Sequence, residues 1–139
     1  MMPSRNAGRA AVAPVRAFDI DALSQRLAGG QEGERLTGFC GGMVGIAAFS
    51  EHPLWERHPR ADELLHVLDG ALDLTILGED GPTELQLTPG SLVVVPRGLW
   101  HSPRPRGFVR LLFINTSEET EISDLPDPRP PNDEHGNRL

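Results

Sequence analysis

The sequence predicts a single all-β domain, a barrel or sandwich of short strands with one short helix ahead of it. Three observations carry that prediction. At least six short runs of alternating or β-branched apolar residues follow one another between residues 43 and 115, at the close spacing of a barrel or sandwich. Gly, Pro, Asp and Asn punctuate them, at Asp69-Gly70, from Gly78 to Pro82, and at Pro89-Gly90, where chain reversal is cheapest. The length of 139 residues suits one buried core and not two independent ones.

Residues 1–17 lack periodicity and are expected to be a flexible lead-in. The spacing predicts a helix from Phe18 to Gly30: Asp19 can cap it, Asp21 sits in its first turn, and Gly29 and Gly30 stop it. Phe18 and Leu23 are placed for a hydrophobic staple across that cap. Met43–Phe49 is a short apolar strand, and Glu63–Leu68 a strand carrying a Glu and a His. Ala71–Leu77 alternates, with Leu72, Leu74 and Ile76 on one face, and Glu84–Leu87 alternates too. Ser91–Val95 is β-branched, and Gly107–Asn115 is long and apolar. The domain is therefore expected over 18–118. Residues 119–139 are acidic and Pro-rich and are expected to be disordered, which makes His135 incidental.

Thirteen basic residues, all Arg, face twenty acidic ones, a net charge of −7. No basic run exists to neutralise phosphates, so a nucleic-acid partner is not expected. A single cysteine, Cys40, permits no intrachain disulfide and reads as a small apolar residue in a reducing compartment. The N-terminus has no sustained apolar centre and no run reaches membrane-spanning length. The expectation is a cytoplasmic protein without a membrane partner.

The chemistry lies between Glu56 and His101. The string Gly90-x5-Pro96-x-Gly98-x2-His101 fixes four residue types at four spacings, an arrangement that chance gives in about one of two hundred such chains. Gly90 turns the chain into a strand, Pro96 ends pairing, Gly98 allows a tight bend, and His101 begins the next strand. Upstream stands Glu56-x-His58-x4-Glu63-x6-Gly70. Residues two apart on a strand share a face, so Glu56 and His58 can project together into a barrel. Glu63 opens the next strand after the turn at Pro59, and Gly70 ends it. His66, at odd separation from Glu63, belongs to the opposite face.

These residues resemble the two motifs of the cupin superfamily, G-x5-H-x-H-x3-4-E-x6-G and G-x5-P-x-G-x2-H-x3-N. The wider strings W-E-R-H-P-R-A-D-E-L-L-H-V-L-D-G and V-V-V-P-R-G-L-W-H-S-P are similar to the small single-domain cupins often described as mannose-6-phosphate isomerase-like. The resemblance covers about residues 40–115. It implies a double-stranded β-helix, the jelly-roll barrel. It also implies a divalent transition metal (Zn, Mn or Fe) held at the positions of Glu56, His58, Glu63 and His101. A homodimer is implied as well, with Leu64 and Leu68 as outward apolar residues. Three positions depart from the pattern: Glu56 stands for the first His, Ser50 for the opening Gly, and Pro105 for the closing Asn.

Glu56 leaves two readings open. As a ligand it makes a harder, more anionic site that favours Mn, Fe(II) or Zn. Without metal, Glu56 and Glu63 would be neighbouring like charges, one with a raised pKa, able to serve as a general acid or base. Both carboxylates are therefore catalytic candidates. His52 is the substitute ligand if Glu56 does not bind. Trp55 and Trp100 are cavity-wall candidates that plain packing also explains. Arg57, Arg97, Arg104 and Arg110 could pair with an anionic substrate or simply face solvent. The functional expectation is a metal-dependent, isomerase- or dioxygenase-like enzyme acting on a small polar molecule. The alternative is a non-catalytic barrel that binds or senses a small ligand.

Overall fold

The computed structural model describes residues 14–27, 32–52 and 54–130. Among these residues one helix precedes eight strands: α1 (Ile20–Gln25), β1 (Glu32–Phe39), β2 (Gly42–Phe49), β3 (Trp55–Arg57), β4 (Glu63–Gly78), β5 (Gly81–Leu87), β6 (Leu92–Val95), β7 (His101–Asn115) and β8 (Glu121–Ser123). The all-β barrel with a short helix is the observed architecture.

The backbone of the barrel is one long antiparallel pair. β4 and β7 run side by side from Glu63 opposite Asn115 to Ile76 opposite His101. Along one edge β4 pairs first with β6 and then with β5. Along the other, β7 pairs first with β3 at His101 and then with β2 over Val109–Asn115. β1 and β8 complete the two outer edges.

The expectation of two strands at 63–68 and 71–77, with a reversal at Asp69-Gly70, is corrected. The chain continues as a single strand that bends. The register slips around Val67–Leu72, and Gly70 takes φ 77°. A Cβ there would lie 2.1 Å from the Phe108 carbonyl oxygen, so the close approach of β7 and the positive φ both require glycine. β7 is likewise longer than its apolar half, because Pro103 and Pro105 lie within it. β3 pairs with it only at His101, so that edge is open over the prolines, where a missing N–H is tolerated.

The curled ribbon closes on one core. Leu65 and Val67 from one half of β4 meet Leu72, Leu74 and Ile76 from the other, with Phe49, Val95, Val109 and Leu111. Outside the barrel, Ile20, Leu23 and Leu27 of the helical segment cover Ile46 and Ala48. Asp19 caps α1 by accepting a hydrogen bond from the Ala22 N–H, as expected, but the helix stops at Gln25. Gly29 and Gly30, expected to end it, lie outside the described residues.

The disorder expected from residue 119 is corrected at its start, where β8 pairs with β3. Pro126 is the first proline of the tail, so nothing forbids pairing at 121–123. Among the described residues no helix is long and apolar enough to cross a membrane. His135 lies outside them.

Candidate metal centre

Strand register assembles the site. Glu56 and His101 are direct cross-strand partners. His58 follows β3 by one residue, and its carbonyl accepts the Gly98 N–H at 2.9 Å. The Asp62 carboxylate accepts the Arg97 N–H at 2.8 Å. The Pro96–Gly98 bend is thereby tied to the turn that separates His58 from Glu63. Both motifs are locked together just before each delivers a side chain to the interior.

The four expected side chains converge: one ligand-type atom from each of Glu56, His58, Glu63 and His101 lies within 4.8 Å of the others. His101 is fully buried, His58 and Glu63 nearly so, and Glu56 is half-buried. His101 Nε2 stands 3.1 Å from Glu63 Oε1 and 3.9 Å from Glu56 Oε2. His58 Nε2 stands 3.2 Å from Glu63 Oε2.

The far sides of the imidazoles set their protonation. His101 Nδ1 lies 3.1 Å from the Leu99 carbonyl oxygen, which can only accept, so Nδ1 carries the proton and donates. A neutral His101 then presents the lone pair of Nε2 to a carboxylate, an arrangement that needs a proton or a cation between them. His58 Nδ1 lies 3.1 Å from Thr120 Oγ1, and its buried Nε2 makes no aligned hydrogen bond. Opposite ligands of one transition ion sit about 4.2 Å apart, two bonds of roughly 2.1 Å. A 4.8 Å cluster therefore needs only a slight contraction around an ion. The residues fit a divalent metal.

Burial works to raise the Glu63 pKa, but the hydrogen bond with His101, the close approach of the His58 ring at 3.2 Å and the charges of both imidazoles overcome it and hold the carboxyl down to about 2. The raised carboxyl expected in the metal-free reading is not found at Glu63, because the imidazoles face it. For His58, burial works to lower the pKa, yet the Glu63 carboxylate 3.2 Å away and the more distant Glu56 charge leave it raised. His52 behaves alike: burial opposes, and its bond to Glu56 prevails.

Three supporting residues complete the picture. Asn115 Nδ2 donates to Glu63 Oε2 at 2.6 Å, and Thr120 backs His58. Neither was singled out from the sequence: they lie 52 and 62 residues from their partners, and no local spacing signals them. His52 Nε2 lies 3.2 Å from Glu56 Oε1, so it braces Glu56 rather than replacing it. His66 contacts the Ser91 carbonyl on the other face, as alternation required.

The cluster forms one wall of a cavity of about 370 Å³ whose remaining walls include Met43, Phe49, Leu65, Leu111 and Phe113. Among the described residues no arginine lines it, and neither tryptophan does. Arg57 instead stacks over Trp100 and pairs with Glu121. Arg110 stacks over Phe108 and pairs with Asp69. Arg104 borders outer grooves.

Fold and site together define a curled β-barrel with a potential transition-metal centre in its interior. The cupin domain model matches residues 44–115, and the chain belongs to the cupin family. Acireductone dioxygenases from two strains of Rhodopseudomonas palustris (TIE-1 and ATCC BAA-98 / CGA009) are 40% identical over 67 residues, 48% of this chain. The match spans only 40% of the length of those relatives. A cupin-2 domain protein of Shewanella frigidimarina superposes with TM-score 0.59 at 15% identity, covering 75% of this chain and 92% of that one. An oxalate oxidase superposes with TM-score 0.53 at 26% identity, covering 62% and 47%.

Proposed function

We propose that this chain is a metal-dependent cupin enzyme of the oxygenase kind, acting on a small polar molecule that chelates through neighbouring oxygens. The observation that carries the reading is the convergence of Glu56, His58, Glu63 and His101 within 4.8 Å on the cavity wall. These residues would hold one Mn, Fe or Zn ion. A bound ion supplies Lewis-acid polarisation of a substrate oxygen and, for iron or manganese, reactivity toward dioxygen.

The residues around the ion divide the remaining work. Glu63 is occupied by His58, His101 and Asn115, so it serves as an anchor. Glu56 is half-buried, borders the cavity and is backed by His52, so it is the carboxylate placed to hold or pass a substrate proton. The carboxylates of Glu56 and Glu63 balance a divalent charge, and among the described residues no arginine lines the cavity to add a positive one. That favours an uncharged chelating molecule over a phosphorylated sugar. Among the reactions the sequence left open, chemistry with dioxygen gains support from the similarity to acireductone dioxygenases and to an oxalate oxidase.

A binding barrel without chemistry is the second reading. It draws on one observation, that His58, His101 and Asn115 all engage the Glu63 carboxylate. Elemental analysis of protein purified without added metal separates the two. About one transition ion per chain, lost in His58→Ala and His101→Ala, supports the enzyme. No ion after soaking with Mn, Fe and Zn removes it. Oxygen uptake with a panel of enediols and α-hydroxyketones then tests turnover.

A homodimer belongs to the same reading. Val94, Leu64, Ile114 and Val44 lie in register across four strands on the outer face, an apolar row suited to a second copy. Val94→Glu should leave a monomer on a sizing column. A monomeric wild-type protein would end this part of the reading.

A further inference from the structure

The acidic segment after β7 crosses back to pair with β3. Three of four consecutive positions make ion pairs to three different places: Glu118 to Arg35 of β1 at 2.5 Å, Glu119 to Arg60 at 2.7 Å, and Glu121 to Arg57 of β3. The remaining residue of that run, Thr120, places its Oγ1 3.1 Å from His58 Nδ1 and lines the cavity. The Glu119 carbonyl also reaches the same ring. Little apolar burial holds the segment, since residues 118–120 and Ile122 are exposed. Backbone pairing of β8 with β3 and the three charge pairs do so instead.

We propose that residues 117–123 form an acidic strap, latched by Arg35, Arg57 and Arg60, that holds Thr120 against His58 and presets the imidazole for metal. Thr120 is a positioning residue: its hydroxyl accepts the Nδ1 proton, which leaves the Nε2 lone pair for the ion. Outer partners of this kind typically alter metal affinity about 10–100-fold. The latch has a further property. Exposed ion pairs are individually weak and are screened by salt, so the strap, and with it the centre, should respond to ionic strength. The inference rests on the metal-binding reading above.

The test is a Co(II) titration of the full chain, read by visible absorption, at 50 mM and 500 mM salt, ~14 and ~4 Å screening lengths. Thr120→Val should bind about tenfold more weakly than wild type, with Thr120→Ser restoring most of the loss. The strap variant Glu118→Gln/Glu119→Gln/Glu121→Gln should be weak already at low salt and nearly salt-insensitive. Because it also removes three negative charges, the control is Glu79→Gln/Asp80→Asn/Glu84→Gln, at exposed positions, which should titrate like wild type. Wild-type affinity in both strap and Thr120→Val variants overturns the inference alone. If wild type binds no Co(II), the metal reading falls. The nitrogen NMR shifts of the His58 ring in metal-free protein then decide the strap's hold: unchanged in Thr120→Val, they end it.

Discussion

At the scale of single residues, protonation governs the site. In metal-free protein Glu63 has a folded pKa of about 2, below its ordinary 4.5. Its stabilisation is complete above 4.5 and is lost as pH falls through about 2. His58 is shifted the other way, above 6.5. Its stabilisation is complete below 6.5 and is lost as pH rises through the higher folded value. The melting temperature of metal-free protein should therefore fall between pH 6 and pH 9. Metal needs a neutral His58, so the metal-loaded protein should hold or gain stability over the same range, with protons released on binding. Paired thermal melts across that range check both signs. His52→Ala leaves Glu56 Oε1 without its brace and should weaken metal about tenfold, measured by competition with a chelating dye. The ligand types were legible in the sequence because two short spacings fix them. The braces were not, because Asn115 and Thr120 reach the site only through pairing that joins residues more than fifty apart.

Among the elements, the bend of β4 carries the clearest prediction. Gly70→Ala meets both a positive φ and a carbonyl oxygen at 2.1 Å. It should cost about 3 kcal/mol or more, or prevent folding. Gly98 also has positive φ, but a Cβ there would meet nothing within 4 Å, so Gly98→Ala should cost only about 1 kcal/mol. Urea denaturation of the two variants measures the difference. Here the sequence misled in an instructive way. Asp69-Gly70 and Pro103 with Pro105 carry the local signature of chain breaks, and each instead lies inside a long strand. Local preference marks where backbone geometry is unusual. Whether the chain reverses or merely bends depends on the partner strand, and β4 and β7 hold each other through both irregularities.

For the molecule as a whole, metal and stability should be linked. An ion present at 100 times its dissociation constant adds about 2.7 kcal/mol, which for a chain of this size raises the melting temperature by roughly 5–10 °C. A chelator should reverse the shift in a scanning-calorimetry trace. The β4–β7 ribbon gives that linkage a geometric origin. Glu63 begins β4 and His101 begins β7, so the antiparallel register sets them at opposite ends of the ribbon. The thirteen residue-to-residue steps of strand from Glu63 to Ile76 would span about 43 Å if straight. Yet the two side chains touch at 3.1 Å. The ribbon has rolled until its head meets its tail, and the four-residue cluster is the buckle. An ion seated there would fasten a hoop, so amide exchange should slow along the entire girth of the barrel and not merely beside the ligands.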